Sequence, residues 1–273
     1  MPVRIRAQSD EEAARVATTN TNPRRNPAFD PSPELVDAKW HELTATSFVN
    51  PRPLVVLCGW RAPLAALKTI RTNLRVLLPG TRVIPIAFPT ASSMQAAVAT
   101  TREALATHES TRDNAKPIDI VALSMGGLVA RALACDAFND LANPQASITA
   151  PVKINSLYTI ATPHQGAILA KFVRPDAAAS AMRPGSLFLR TLDNALPNAT
   201  FSITPYGYLR DWWVGCHNTA PIGRVPLWLD PPTTRGRLFS HFLISTERRI
   251  ILDIALRLRG LAPIAEFGPP PPK

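Results

Sequence analysis

One serine stands out for its chemistry. In DIVALSMGGLVARALA (residues 119–134), Ser124 sits where an apolar run gives way to two glycines and then to a helix-like pattern. A serine hydroxyl becomes a working nucleophile when it is held out above a sheet, has a base to take its proton, and faces backbone donors for the oxyanion. A sharp turn directly after a central strand supplies the exposure, and it crowds the residues two before and two after the nucleophile, so both must be small. Ala122 and Gly126 satisfy that rule. A helix beginning at Met125 would aim the positive end of its dipole at the same point. Taken alone, the stretch also suits an ordinary buried loop serine ahead of a Gly-Gly helix start.

The surrounding chain must supply the frame. Its 273 residues are 46% apolar, enough for one large α/β domain and cramped for two. From residue 53 onward, short apolar runs alternate with longer segments of helical period, the signature of βα units around a parallel sheet. Strands are expected at 53–58, 82–88, 118–123, 152–162, 200–204 and 224–229. Helices are expected at 62–78, 92–108, 125–138, 165–172 and 246–258. Pro85 places the second strand near an edge or a bulge. Residues 1–33 are polar and proline-rich and are expected to form a disordered N-terminal arm, with the domain spanning 34–262. Residues 173–196 lose the alternation and suggest a lid-like insertion, and 263–273 form a proline-rich tail expected to fray.

Charge and cysteine usage exclude several classes. The net charge of +10 would suit nucleic acid if it were clustered, but the basic residues are scattered singly or in pairs such as Arg24-Arg25, so no specific nucleic-acid partner is expected. Cys58, Cys135 and Cys216 are odd in number and widely spaced, against a disulfide framework or a zinc site. No apolar run reaches the length of a membrane span and no signal-peptide pattern is evident, so a cytoplasmic location is expected.

At Ser124-Met125-Gly126-Gly127-Leu128-Val129-Ala130-Arg131 the sequence resembles the α/β-hydrolase fold, and within it the bacterial lipases and related esterases, whose elbow commonly reads G-H-S-M-G-G. Ala122 and Leu123 depart from the usual glycine and histidine. The resemblance implies a mostly parallel central sheet flanked by helices, with a small lid-like insertion. It also implies an oxyanion hole built from the backbone N–H groups of Trp60, in Cys58-Gly59-Trp60-Arg61, and Met125. Ala161-Thr162-Pro163-His164-Gln165-Gly166 resembles the T-P-H-x-G run of the same enzymes, where the histidine is structural or pocket-lining. Base and acid follow the serine in the order Ser, Asp, His. His241, between the last strand and the last helix, then stands as the base, ahead of His217. Asp211, after the penultimate strand, stands as the acid, with Asp230 its main rival and Asp193 a poorer placement. Asp211 could also pair with Arg210 or Arg224 on the surface.

The expected chemistry is cleavage of carboxylic esters, small-molecule or lipid, through an acyl-enzyme made by Ser124, Asp211 and His241, with no metal and no organic cofactor. An acyltransferase, a thioesterase or amidase with the same triad, and a non-catalytic binding protein on the same fold are the competing readings. Trp60, Trp212, Trp213 and Phe188 suggest an apolar pocket near the site, or core aromatics. Oligomeric state is open.

Overall fold

The apolar runs that alternate with helical segments form a six-stranded sheet in the order β2-β1-β3-β4-β5-β6, with every pairing parallel. The computed structural model describes residues 26–108, 110–111, 116–135, 150–173, 175–230 and 240–272. The expected arm up to residue 25 and the expected helix end at 136–138 lie outside the described residues. The strands are β1 (Leu54–Leu57), β2 (Val83–Ile86), β3 (Ile118–Leu123), β4 (Ile154–Ile160), β5 (Ser202–Tyr208) and β6 (Leu227–Leu229). Helix α1 spans Pro33–Ala45, α2 Leu64–Leu77, α3 Met94–Thr107 and α4 Met125–Leu133. After β4 come two short helices, α5 (Ala177–Ala181) and α6 (Leu187–Ala195), and after β6 come α7 (Ser240–Leu243) and α8 (Arg248–Leu258).

Strands buried on both faces read as continuous apolar runs, and β1 and β3 are buried at every position. Their side chains divide between two cores. One face packs Val55, Ile120 and Ala122 with α3 and α4, and the other packs Leu54, Val56 and Val121 with α1, α2 and α8. The chain runs from β1 outward to β2, returns past β1 to β3, and then steps outward through β4, β5 and β6. The direction therefore reverses between β1 and β3, and open α/β sheets bind ligands outside the carboxyl ends of the strands at such a switch point. Gly59-Trp60 follows β1 and Ser124 follows β3, so the two stretches singled out in the sequence meet there.

Pro85 lies in β2, the edge strand, as expected of a residue with no N–H to give a ladder. The expected helix at 165–172 is instead a loop ending in a single 3₁₀ turn, Leu169–Lys171. Two other expectations give way at the ends of the domain. Residues 26–33 pack rather than trail: Phe29 is 1% exposed against Tyr206, and Asn26 Nδ2 donates to the Trp228 carbonyl at 2.8 Å. The proline-rich tail is likewise held, by Trp228 Nε1 donating to the Pro269 carbonyl at 2.8 Å. An indole N–H buried on a strand needs an acceptor, and the tail provides it.

Candidate active site

Ser124 is the residue at which β3 stops and α4 starts. Its backbone takes φ 52° and ψ −126°, a left-handed conformation that costs a non-glycine residue on the order of 1–3 kcal/mol and persists only where neighbours enforce it. The neighbours are identifiable. Ser124 N–H donates to the Ile160 carbonyl of β4 at 2.7 Å, and its own carbonyl accepts from Thr162 Oγ1 at 2.8 Å. A Cβ on Gly126 would lie 2.5 Å from the Cys58 carbonyl oxygen, so the start of α4 can press onto the end of β1 only with glycine there. Ala122 is fully buried in the sheet. The small-residue rule read from the sequence has its cause in these contacts.

The strained turn leaves the Ser124 hydroxyl free of any capping bond to α4. It meets His241 Nε2 at 2.9 Å, and His241 Nδ1 meets Asp211 Oδ2 at 2.8 Å. A carboxylate can only accept, so Nδ1 carries the proton and Nε2 is left with a lone pair facing the serine. Asp211 is fixed in turn, because its other oxygen accepts from the backbone N–H groups of Trp213 (3.0 Å) and Val214 (3.1 Å). His241 begins the last section of the chain on α7, one residue after Ser240, whose hydroxyl donates to the Arg210 carbonyl next to Asp211. The Trp213 ring stacks on the imidazole, 3° from parallel with centroids 5.6 Å apart. Ser124, His241 and Asp211 are all buried.

The rivals lie elsewhere. Asp230 takes Arg210 at 2.9 and 3.0 Å, which removes both from consideration as partners of the imidazole or of Asp211. His217 is exposed and its carbonyl accepts from Gln165. Asp193 on α6 pairs with Arg131 at 3.0 Å. His164 is fully buried, with Arg131 donating to Nδ1 at 3.2 Å; Nε2, which then carries the proton, faces Thr159 Oγ1 at 3.0 Å. Burial first, then the positive charges of Arg131 and Arg224, push its pKa well below the usual value. It is a neutral brace outside the pocket, the structural alternative of the two that the sequence left open.

A cavity of about 620 Å³, counting its open mouth, adjoins Ser124 and His241. Trp60, Leu123, Leu169, Val173, Met182 and Trp213 form much of its wall, and among the described residues no Asp, Glu, Lys or Arg contributes. Of the four aromatics expected near the site, Trp60 and Trp213 line the cavity, whereas Trp212 is 66% exposed and Phe188 packs on the core. The Gly59-Trp60 turn passes directly against the serine: a Cβ on Gly59 would lie 2.9 Å from Ser124 Cβ. Met125 is the first residue of α4, where backbone N–H groups have no partner within the helix. Ala179 and Met182, in the expected insertion, roof the cavity. Two contacts escaped the sequence reading. One is the Thr162 hydroxyl bond to the serine carbonyl, for which the T-P-H-x-G run was a signal. The other is the Trp213 stack, for which nothing local was.

Among the described residues no group of three His, Cys, Asp or Glu side chains could hold a metal ion. Cys58, Cys135 and Cys216 are all free and buried, and burial raises the thiol pKa of Cys58 and Cys216. No described helix is long and apolar enough to cross a membrane.

The sequence matches no protein-family model and no curated protein at a significant level. Solved structures do resemble it. The mature form of Bacillus licheniformis lipase BlEst2 has a TM-score of 0.50 and 15% identity over 81% of this chain and 91% of that one. The propeptide form of that lipase has a TM-score of 0.56 at 15% identity, over 90% of this chain and 55% of that one. Aspergillus fumigatus lipase B has a TM-score of 0.50 at 13% identity, over 91% and 62% of the two chains. Identities this low speak to architecture alone, and on architecture they agree with the sheet order and flanking helices: the chain has the α/β-hydrolase fold.

Proposed function

We propose that the protein is a serine hydrolase of carboxylic esters that works through an acyl-enzyme. The observation that carries the reading is the hydrogen-bonded chain from Ser124 Oγ through His241 to Asp211 at the mouth of an apolar cavity. His241 Nε2 takes the hydroxyl proton as Ser124 Oγ attacks the ester carbonyl, and the imidazolium formed is stabilised by Asp211. The negative charge that develops on the carbonyl oxygen is received by the Trp60 and Met125 N–H groups. Collapse of the tetrahedral species breaks the bond to the alcohol, which leaves with the proton held by His241. Water then attacks the acyl-serine, giving its proton to the same nitrogen, and the acid and free Ser124 are released. The apolar wall that the described residues form suits an apolar acyl group.

The test is hydrolysis of a series of p-nitrophenyl esters of rising acyl length by wild type and Ser124→Ala. The reading expects turnover with an optimum set by the cavity and a fall of several powers of ten in the variant. Undiminished hydrolysis by Ser124→Ala refutes it.

A further inference from the structure

The segment that roofs the cavity is tied to the oxyanion turn by one side chain. Asp176 precedes α5 and is only 8% exposed at its side chain. Its Oδ1 accepts from the Ala179 N–H at 2.9 Å and caps the short helix. Its Oδ2 faces the other way, accepting from Trp60 Nε1 at 3.1 Å and from Arg61 Nη2 at 3.2 Å. The two residues it grips are those of the turn after β1. Arg61 holds a left-handed φ of 47° there, and its guanidinium lies 4.9 Å from the Trp60 ring centroid. Across the turn itself, Ala62 N–H reaches the Gly59 carbonyl at a long 3.4 Å. The roof itself has firm anchors: Ala178 N–H donates to the Ser92 carbonyl, and Ala167 N–H to the Met182 carbonyl, each at 2.8 Å.

We infer that Asp176 is a positioning residue for the oxyanion hole: by holding the Trp60 indole against the anchored roof, it fixes the direction of the Trp60 backbone N–H. The inference rests on the serine-hydrolase reading above. A strained turn of three residues has little to hold it in one conformation, and a donor is useful only within a few tenths of an ångström of where the oxyanion forms. Fixing the bulky indole at its far edge removes rotation about Cα–Cβ and the backbone rocking that accompanies it. The same contact makes the wall of the acyl cavity and the oxyanion donor parts of one rigid piece, since Ala179 and Met182 belong to the roof that Asp176 caps.

A merely structural role would give a different pattern, and three variants separate the two. Asp176→Ser keeps a capping oxygen for Ala179 but cannot reach Trp60. Trp60→Phe keeps an aromatic side chain, smaller than the indole, at the cavity wall and leaves the Asp176 bonds to Arg61 and Ala179 in place. The double variant loses the indole bond that each single variant already lacks, and the Arg61 bond that Asp176→Ser lacks. The inference expects each single variant to lower kcat for a short p-nitrophenyl ester about 10- to 100-fold, with KM changed less than about twofold, because a misaimed donor costs less than the 10²–10³ of a deleted one. Affinity for an alkyl boronic acid, whose tetrahedral adduct on Ser124 occupies the oxyanion site, should fall in step with kcat. The double variant should be no worse than Asp176→Ser alone, which already lacks the indole bond that Trp60→Phe removes, along with the Arg61 bond. Unchanged kcat in both single variants overturns the inference, as do losses that multiply in the double variant or losses that appear in KM and melting temperature instead. Full hydrolysis by Ser124→Ala in the same assay overturns the serine-hydrolase reading itself and the positioning role with it, whereas a dead Ser124→Ala beside unaffected Asp176→Ser overturns the positioning role alone.

Discussion

The most discriminating substitution at the site is Asp211→Asn, because the structure dictates which way the new amide points. In the wild type, Oδ1 accepts from two backbone donors, Trp213 and Val214, while Oδ2 faces His241. The amide nitrogen of Asn cannot accept, so its oxygen must stay with the two N–H groups and its NH₂ must face the imidazole. That NH₂ donates to Nδ1 and forces the ring proton onto Nε2, against the Ser124 hydroxyl. The base is then absent, with every heavy atom still in place. A triad whose tautomer is reversed in this way loses about 10⁴ in kcat, or about 5 kcal/mol in the barrier. Stability should hardly change, because both backbone bonds survive. Asp211→Ala, by contrast, strands two buried N–H groups at about 1–3 kcal/mol each. The assay is kcat on a short p-nitrophenyl ester, alongside thermal unfolding of both variants. An Asn variant that keeps kcat within tenfold of wild type would refute the assignment of Asp211 and the tautomer argument together.

Further predictions follow from single contacts. Gly126→Ala should cost about 1–3 kcal/mol in stability and a large part of the activity, since its Cβ would lie 2.5 Å from the Cys58 carbonyl oxygen; unfolding curves and kcat that match wild type would contradict this. Phe29→Ala should destabilise the protein by about 3–5 kcal/mol in urea titrations, and a change below about 1 kcal/mol would mean that residues 26–33 are not part of the folded unit. His164 introduces a pH dependence whose sign is fixed by its depressed pKa. The unfolded chain takes up a proton near pH 6.5 that the folded protein refuses, so stability contributed by the neutral ring is full above that pH and falls as pH drops through it. Between about pH 7.5 and 5.5 stability should fall, and His164→Gln should lack this part of the fall; equal pH slopes in the two proteins would contradict the account.

Much of this was legible from the chain itself, for physical reasons. The elbow was legible because its requirement is steric and local: small residues two positions either side of Ser124. The sheet was legible because strands buried on both faces must be apolar throughout, as β1 and β3 are. Asp211 and His241 were singled out through the α/β-hydrolase resemblance, by its order of serine, acid and base, and they lie within hydrogen-bond distance of one another. What escaped depends on pieces of chain that meet only in space. Asp176 lies 116 residues from Trp60, in a segment without periodicity, and nothing local marks it as a tether. Phe29 is a lone aromatic among prolines and asparagines, so no pattern announces that it is buried. Helix α1 could have been found, since Ser32-Pro33-Glu34 is a helix-start signal and the Ser32 hydroxyl does cap it. Strand β5 was placed too short because Pro205 and Gly207 interrupt its apolar pattern, although both are buried in the ladder with their neighbours.

The central claim is that Ser124 becomes acylated during turnover. Peptide mapping by mass spectrometry, after rapid mixing with an ester and acid quenching, tests it most directly. The account predicts a transient acyl adduct confined to the peptide that carries Ser124, absent in Ser124→Ala and persistent in a variant whose deacylation is slowed. Hydrolysis that proceeds with no adduct on Ser124, or with the acyl group on another residue, would contradict it.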